Sequence, residues 1–135
     1  MPGRPSHIDH IGIAVFRLDD AIPFWRDILG IPLHDIEIVE DQLVRTAVFV
    51  AGPNRIELLE ATSPESPIAR FLAKRGEGIH HLALATGDVG GTLDSLRAAG
   101  CRLVDDAPRP GAGGASIAFV HPGSTHGVLL EFCSR

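Results

Sequence analysis

The chain has 135 residues, 44% hydrophobic and 21% charged, enough to bury one moderate core and too few for a large multidomain enzyme. Twelve basic residues against seventeen acidic give a net charge of −5. No basic block exceeds the adjacent Lys74 and Arg75, so no phosphate-backbone footprint is present and nucleic acid is not expected as a partner.

In chain order, the alternating segment IDHIGIAV (8–15) predicts a strand. It is followed by an acidic start at Asp19 and Asp20, an apolar face of Ala21, Trp25, Ile28 and Leu29, and Gly30 as a stop, which together predict a helix with Pro23 in its first turn. Strands are expected over 33–39, 45–51 and 55–60. Ser66 as N-cap, Pro67 behind it, apolar Ile68, Phe71 and Leu72, and Gly76 predict a short helix over 66–75. IHHLALAT (79–86) then repeats the first strand with His81 over His10, an offset of 71 residues. Asp88, Val89, Leu93, Leu96 and Gly100 repeat the helix. Strands are expected again over 102–105, 116–120 and 127–132.

The chain is thus written twice, as two βαβββ modules over about 8–60 and 79–133 joined by the helix at about 66–75, within a single domain 1–135. PRPGAGG (108–114) reads as a functional loop. Cys101 and Cys133 lie in apolar strand-like contexts without a CxxC pattern and read as buried thiols. No apolar run approaches the ~18 residues of a membrane span, and the first residues lack the basic-then-apolar order of a secretory leader. A cytoplasmic protein without membrane contact is expected.

Parity within the strands selects the polar residues that matter. His10 shares a face with Gly12 and Ala14, while the opposite face carries Ile11, Ile13 and Val15 and needs a helix to cover it. His81 likewise lies with Ala83 and Ala85, whereas His80 lies with Leu82 and Leu84. The last strand of each half supplies a carboxylate in apolar surroundings, Glu57 in RIELLE and Glu131 in VLLEFC. A buried carboxylate is costly unless paired or bound to a metal. Two imidazoles and two carboxylates at matched positions suit a divalent ion such as Co, Mn, Ni, Fe or Mg, with positions left for substrate. His7, His34, His121 and His126 read as loop or surface residues.

IDHIGIAV, the RIELLE strand, SPIARFLAKRGEGIHHLAL, PRPGAGGASIAFVHP and STHGVLLEF together resemble the methylmalonyl-CoA epimerases, of the vicinal-oxygen-chelate superfamily that includes the glyoxalases. The resemblance runs from residue 8 to residue 133. It implies an α+β fold in which the tandem modules form a cupped eight-stranded mixed sheet. It also implies a divalent metal held by His10, Glu57, His81 and Glu131, and an acyl-CoA as small-molecule partner. The implied reaction is epimerisation at C2 of methylmalonyl-CoA by 1,1-proton transfer through an enolate that the ion stabilises. Inversion needs an acid and a base on opposite faces of the planar intermediate, and Glu131 and Glu57 are the carboxylates expected to serve.

In some of those enzymes a glutamate follows a Gln-Gly-Val stretch, four residues after the glutamine. This chain reads Gln42, Leu43, Val44, Arg45, Thr46, so leucine replaces the glycine and Thr46 stands where the glutamate would be. Arg70, Lys74 and Arg75 are candidates for CoA phosphate contacts, and the 108–114 loop for holding the substrate carboxylate through backbone N–H groups. A homodimer is left open. The competing readings are a glyoxalase-type isomerase of a glutathione adduct, a ring-cleaving dioxygenase, and a metal-free protein that sequesters a ligand.

Overall fold

The computed structural model describes residues 3–135, which form two compact units, one of residues 10–80 and one of the residues up to 9 together with 81–135. The class is α+β, with eight strands among the described residues, four to a unit.

The 10–80 unit contains β1 (His7–Ala14, from His10 onward), α1 (Leu18–Pro23), β2 (Leu33–Val39), β3 (Val44–Ala51), β4 (Asn54–Ala61) and α2 (Pro67–Arg75). Its sheet is ordered β2-β3-β4-β1, antiparallel except for the parallel β1–β4 pair. One face is apolar and covered: Ile13, Ala47, Phe49, Ile56 and Leu58 pack against Leu18, Ile22 and Trp25. Phe49, Leu58 and Leu18 have no accessible surface, and each such burial contributes about 2 kcal/mol. The opposite face carries His10, Gly12, Thr46, Val48, Glu57 and Leu59, because Gly12 pairs with Glu57, Val48 with Glu57 and Thr46 with Leu59.

The second unit repeats the plan with β5 (Gly78–Ala85, from His81 onward), α3 (Val89–Ala98), β6 (Arg109–Pro110), β7 (Ser116–Val120) and β8 (Leu130–Ser134). The order is β5-β8-β7-β6, again with one parallel pair, β5–β8. Leu84, Ala118, Val120 and Phe132 pack under Val89 and Leu93 of α3. The face away from α3 carries His81, Ala83, Phe119, Glu131 and Cys133.

The starts of α2 and α3 follow local chemistry. The Ser66 hydroxyl accepts the Ile68 N–H at 3.1 Å, and the Asp88 carboxylate accepts the Gly91 N–H at 2.9 Å. Four expectations are corrected. The first helix begins at Leu18, so Pro23 closes it instead of opening it, and the chain continues as a π-turn over Phe24–Ile28. Proline supplies no N–H and crowds the carbonyl one turn back; beyond it the wider turn is held by Leu29 N–H donating to the Phe24 carbonyl at 3.0 Å.

The strand expected over 102–105 is reduced to a single bridge, Leu103 to Val120. There the Asp105 carboxylate accepts the Phe119 N–H at 2.8 Å, a donor that a continued ladder would need. The edge strand is instead β6, inside the stretch expected to be wholly loop. The last strand also begins later than 127, at Leu130. Among the described residues no helix is long and apolar enough to cross a membrane.

Candidate active site

Each unit brings one histidine and one glutamate together. In the 10–80 unit, His10 on β1 and Glu57 on β4 sit on the face away from α1, with His10 Nδ1 and Glu57 Oε2 3.3 Å apart. Parallel pairing of Gly12 with Glu57 sets that neighbourhood, and the absent side chain at Gly12 leaves the space that both larger groups use. In the other unit His81 on β5 lies 3.4 Å from Glu131 on β8, Nε2 to Oε1, beside Ala83, which pairs with Glu131.

All four residues are buried, with exposures of 2% for His10, 4% for Glu57, 5% for His81 and 3% for Glu131. Buried carboxylates against imidazole nitrogens are a donor set of borderline nitrogen and hard oxygen, which fits a divalent cation. His81, chosen from the sequence over its neighbour, stands beside Glu131. His80 instead meets Phe71 of α2 edge-on, with ring centroids 5.1 Å apart, and burial pushes its pKa down to about 4.

Around the His81–Glu131 pair the wall is apolar. Phe119, which pairs with Glu131 across β7–β8, meets the His81 ring edge-on at 5.3 Å. The Arg109 guanidinium lies 5.9 Å from the centre of the Phe119 ring and is held by Asp105, Nε to Oδ1 3.1 Å. Arg109 also borders an open cleft of about 340 Å³ with Pro108, Pro110, Gly114, Ala115 and Ser116. The loop beside it turns through Gly113 and Gly114 at φ of 68° and 74°, where a side chain would be strained. Arg109 carried no signal in the sequence reading; its place across from Ile117 becomes visible only once β6 pairs with β7.

The basic residues of α2 have local occupations. Arg70 donates to the Glu65 carbonyl at 2.7 Å, and Arg75 lies over the Phe71 ring at 5.8 Å. His7, His34 and His126 are exposed, and His121 is partly exposed and caps a short turn by accepting the Gly123 N–H at 2.9 Å. Cys133 is buried and Cys101 partly buried, both free thiols.

The pattern of the glyoxalase, bleomycin resistance protein and dioxygenase superfamily matches residues 9–119. An ethylmalonyl-CoA/methylmalonyl-CoA epimerase of Cereibacter sphaeroides is 36% identical over 93% of this chain and 96% of its own length. A Streptomyces coelicolor methylmalonyl-CoA epimerase, solved in complex with 2-nitronate-propionyl-CoA, superposes with a TM-score of 0.94 at 39% identity, covering 97% of this chain and 95% of that one. The chain belongs to the methylmalonyl-CoA epimerase family. An uncharacterised Bacillus subtilis protein, YqjC, is 42% identical over 95% of this chain and 91% of its own. The fold is accordingly the vicinal-oxygen-chelate one, and the strand orders and helix-covered faces above are its realisation in this epimerase-family member.

Proposed function

We propose that the chain epimerises methylmalonyl-CoA, or a closely related 2-substituted malonyl-CoA, at C2. The observation that carries the reading is the recurrence, in both units, of a buried histidine–glutamate pair on the face away from α1 in one and α3 in the other. Membership of the epimerase family supports the substrate class. Within this proposal His10, Glu57, His81 and Glu131 are the residues that ligate a divalent ion. When bound, the ion acts as a Lewis acid that lowers the cost of negative charge developing on the substrate oxygens.

The protein's own residues do the rest. The C2–H bond breaks with its electron pair left on the substrate as an enolate, and the proton goes to a carboxylate. A second, protonated carboxyl returns a proton to the opposite face, because a single group giving back its own proton would restore the starting epimer. Glu131 is assigned to one side. Glu57 is the sequence-derived choice for the other, serving as ligand and proton carrier together. The phenyl ring of Phe119 keeps water from the flank of His81, and a dry wall strengthens every charge interaction inside it.

The test uses protein purified without added metal. Metal content is measured first, and then each epimer of methylmalonyl-CoA is followed by NMR in D2O. Exchange of the C2 proton together with inversion supports the epimerase. Stoichiometric metal without exchange points to a glyoxalase-type or dioxygenase chemistry, and binding without metal or turnover to a sequestering protein.

A further inference from the structure

β2 is built inside out. Its residues Ile36 and Ile38 are 37% and 59% exposed, while Glu37 between them is only half-exposed. An edge strand with one buried face ordinarily turns its isoleucines inward. Register explains the inversion: Glu37 pairs with Thr46 of β3, which shares its face with Val48, and Val48 pairs with Glu57 of β4. Glu37 therefore projects from the same face as His10 and Glu57, directly opposite the fully buried Thr46. Opposed residues on neighbouring strands stand about 5 Å apart at Cβ, and diagonal ones lie within reach of long side chains.

The proposed reaction needs a second proton carrier, a part that Glu57 could fill only by being ligand and proton carrier together. Thr46, the residue of β3 beside which Glu37 stands, is fully buried and carries no ionisable group. The other acid on this face of the strand, Asp35, is exposed and turns back to accept the N–H of Ile36 at 2.9 Å.

We propose that Glu37 is the second acid/base of the site, reaching over Thr46 from the neighbouring strand. Glu37 takes the proton as the C2–H bond breaks in one direction and returns it in the other. With Glu37 in that role, Glu57 is needed only as a ligand. The inference rests on the epimerase reading above.

The experiment follows each epimer separately in D2O for wild type, Glu37→Gln, Glu37→Asp, and Glu37→Gln combined with Thr46→Glu. Bound metal and Tm are measured on the same preparations. Glu37→Gln is expected to keep its metal and Tm, to go on exchanging the C2 proton of one epimer, and to lose inversion by on the order of 100-fold. Thr46→Glu, which moves a carboxylate one strand inward, is expected to recover inversion in that background. Should Glu37→Gln fold poorly, Glu37→Asp carries the test, with inversion slowed and exchange retained. Inversion at the wild-type rate in Glu37→Gln overturns the assignment, as does parallel loss of exchange from both epimers. A wild-type protein that neither exchanges nor inverts overturns the epimerase reading itself.

Discussion

At the scale of single residues, the four buried side chains of His10, Glu57, His81 and Glu131 place a charge requirement on the fold. Two carboxylates below 5% exposure are expensive to keep ionised without a cation. Divalent metal is therefore expected to raise Tm, by the equivalent of about 2.7 kcal/mol at a hundred times its Kd. Glu131→Gln is expected to abolish that rise while leaving the metal-free protein at least as stable as wild type; thermal melts with and without metal check both. Glu57→Gln, on the same logic, weakens metal binding by tenfold or more in a titration. Leu43 adds a different residue-level cost. It sits at φ 56°, in the left-handed region that disfavours a branched side chain by roughly 1 kcal/mol or more. Leu43→Ile is expected to lower stability by about 1 kcal/mol in urea unfolding, because β-branching deepens that strain, whereas Leu43→Gly stays close to wild type. Of these residues, parity alone singled out His10 and His81, because their strands carry small neighbours on one side and bulky ones on the other. Glu37 was not legible: in LHDIEIV both phases of alternation are self-consistent, and only pairing with β3 decides which side faces inward.

Among the elements, local capping was the most readable part of the fold and refinement by neighbours the least. Ser66 is fully buried and its hydroxyl holds the first turn of α2, so Ser66→Ala is expected to cost about 1 kcal/mol by denaturant melt. The segment 102–105 has strand-like residues, yet Asp105 takes the backbone donor of Phe119 for its side chain, a competition that no single-segment pattern reveals. β5 carries the pH dependence. His80 has its pKa pushed down to about 4 by burial, below the ~6.5 of an unfolded chain, so the fold favours the neutral ring. That contribution is complete above pH 6.5 and lost as pH falls from there toward 4. Wild type is expected to lose stability across this window, by about 3 kcal/mol at most. His80→Gln removes His80's share of the slope, as urea midpoints at pH 7 and 5 would show.

For the whole molecule, the repeat was legible because its two halves share both strand parity and helix signals, and each half builds its own core under its own helix. What joins distant parts of the sequence was not legible. Arg135 donates twice to the nearly buried Asp9, Nε to Oδ1 at 3.0 Å and Nη2 to Oδ2 at 2.9 Å, a link across almost the full length of the chain. The paired, charge-assisted geometry makes this stronger than an ordinary surface pair, and Arg135→Ala is expected to lower stability by about 2 kcal/mol.

The turn at Glu40–Gln42 and Leu43 joins β2 to β3 and fixes which residue of β2 stands opposite Thr46. Deleting one residue there slides β2 by a single step, and one step exchanges the two sides of a strand. Ile36 or Ile38 would then stand opposite Thr46 where Glu37 now stands, and an ionisable position would become an oily one without any substitution in either strand. In this hairpin, loop length is a lever on chemistry: a change of one codon in the connector decides which side chain of β2 stands beside Thr46, while many point changes on the outer side of β2 leave that untouched.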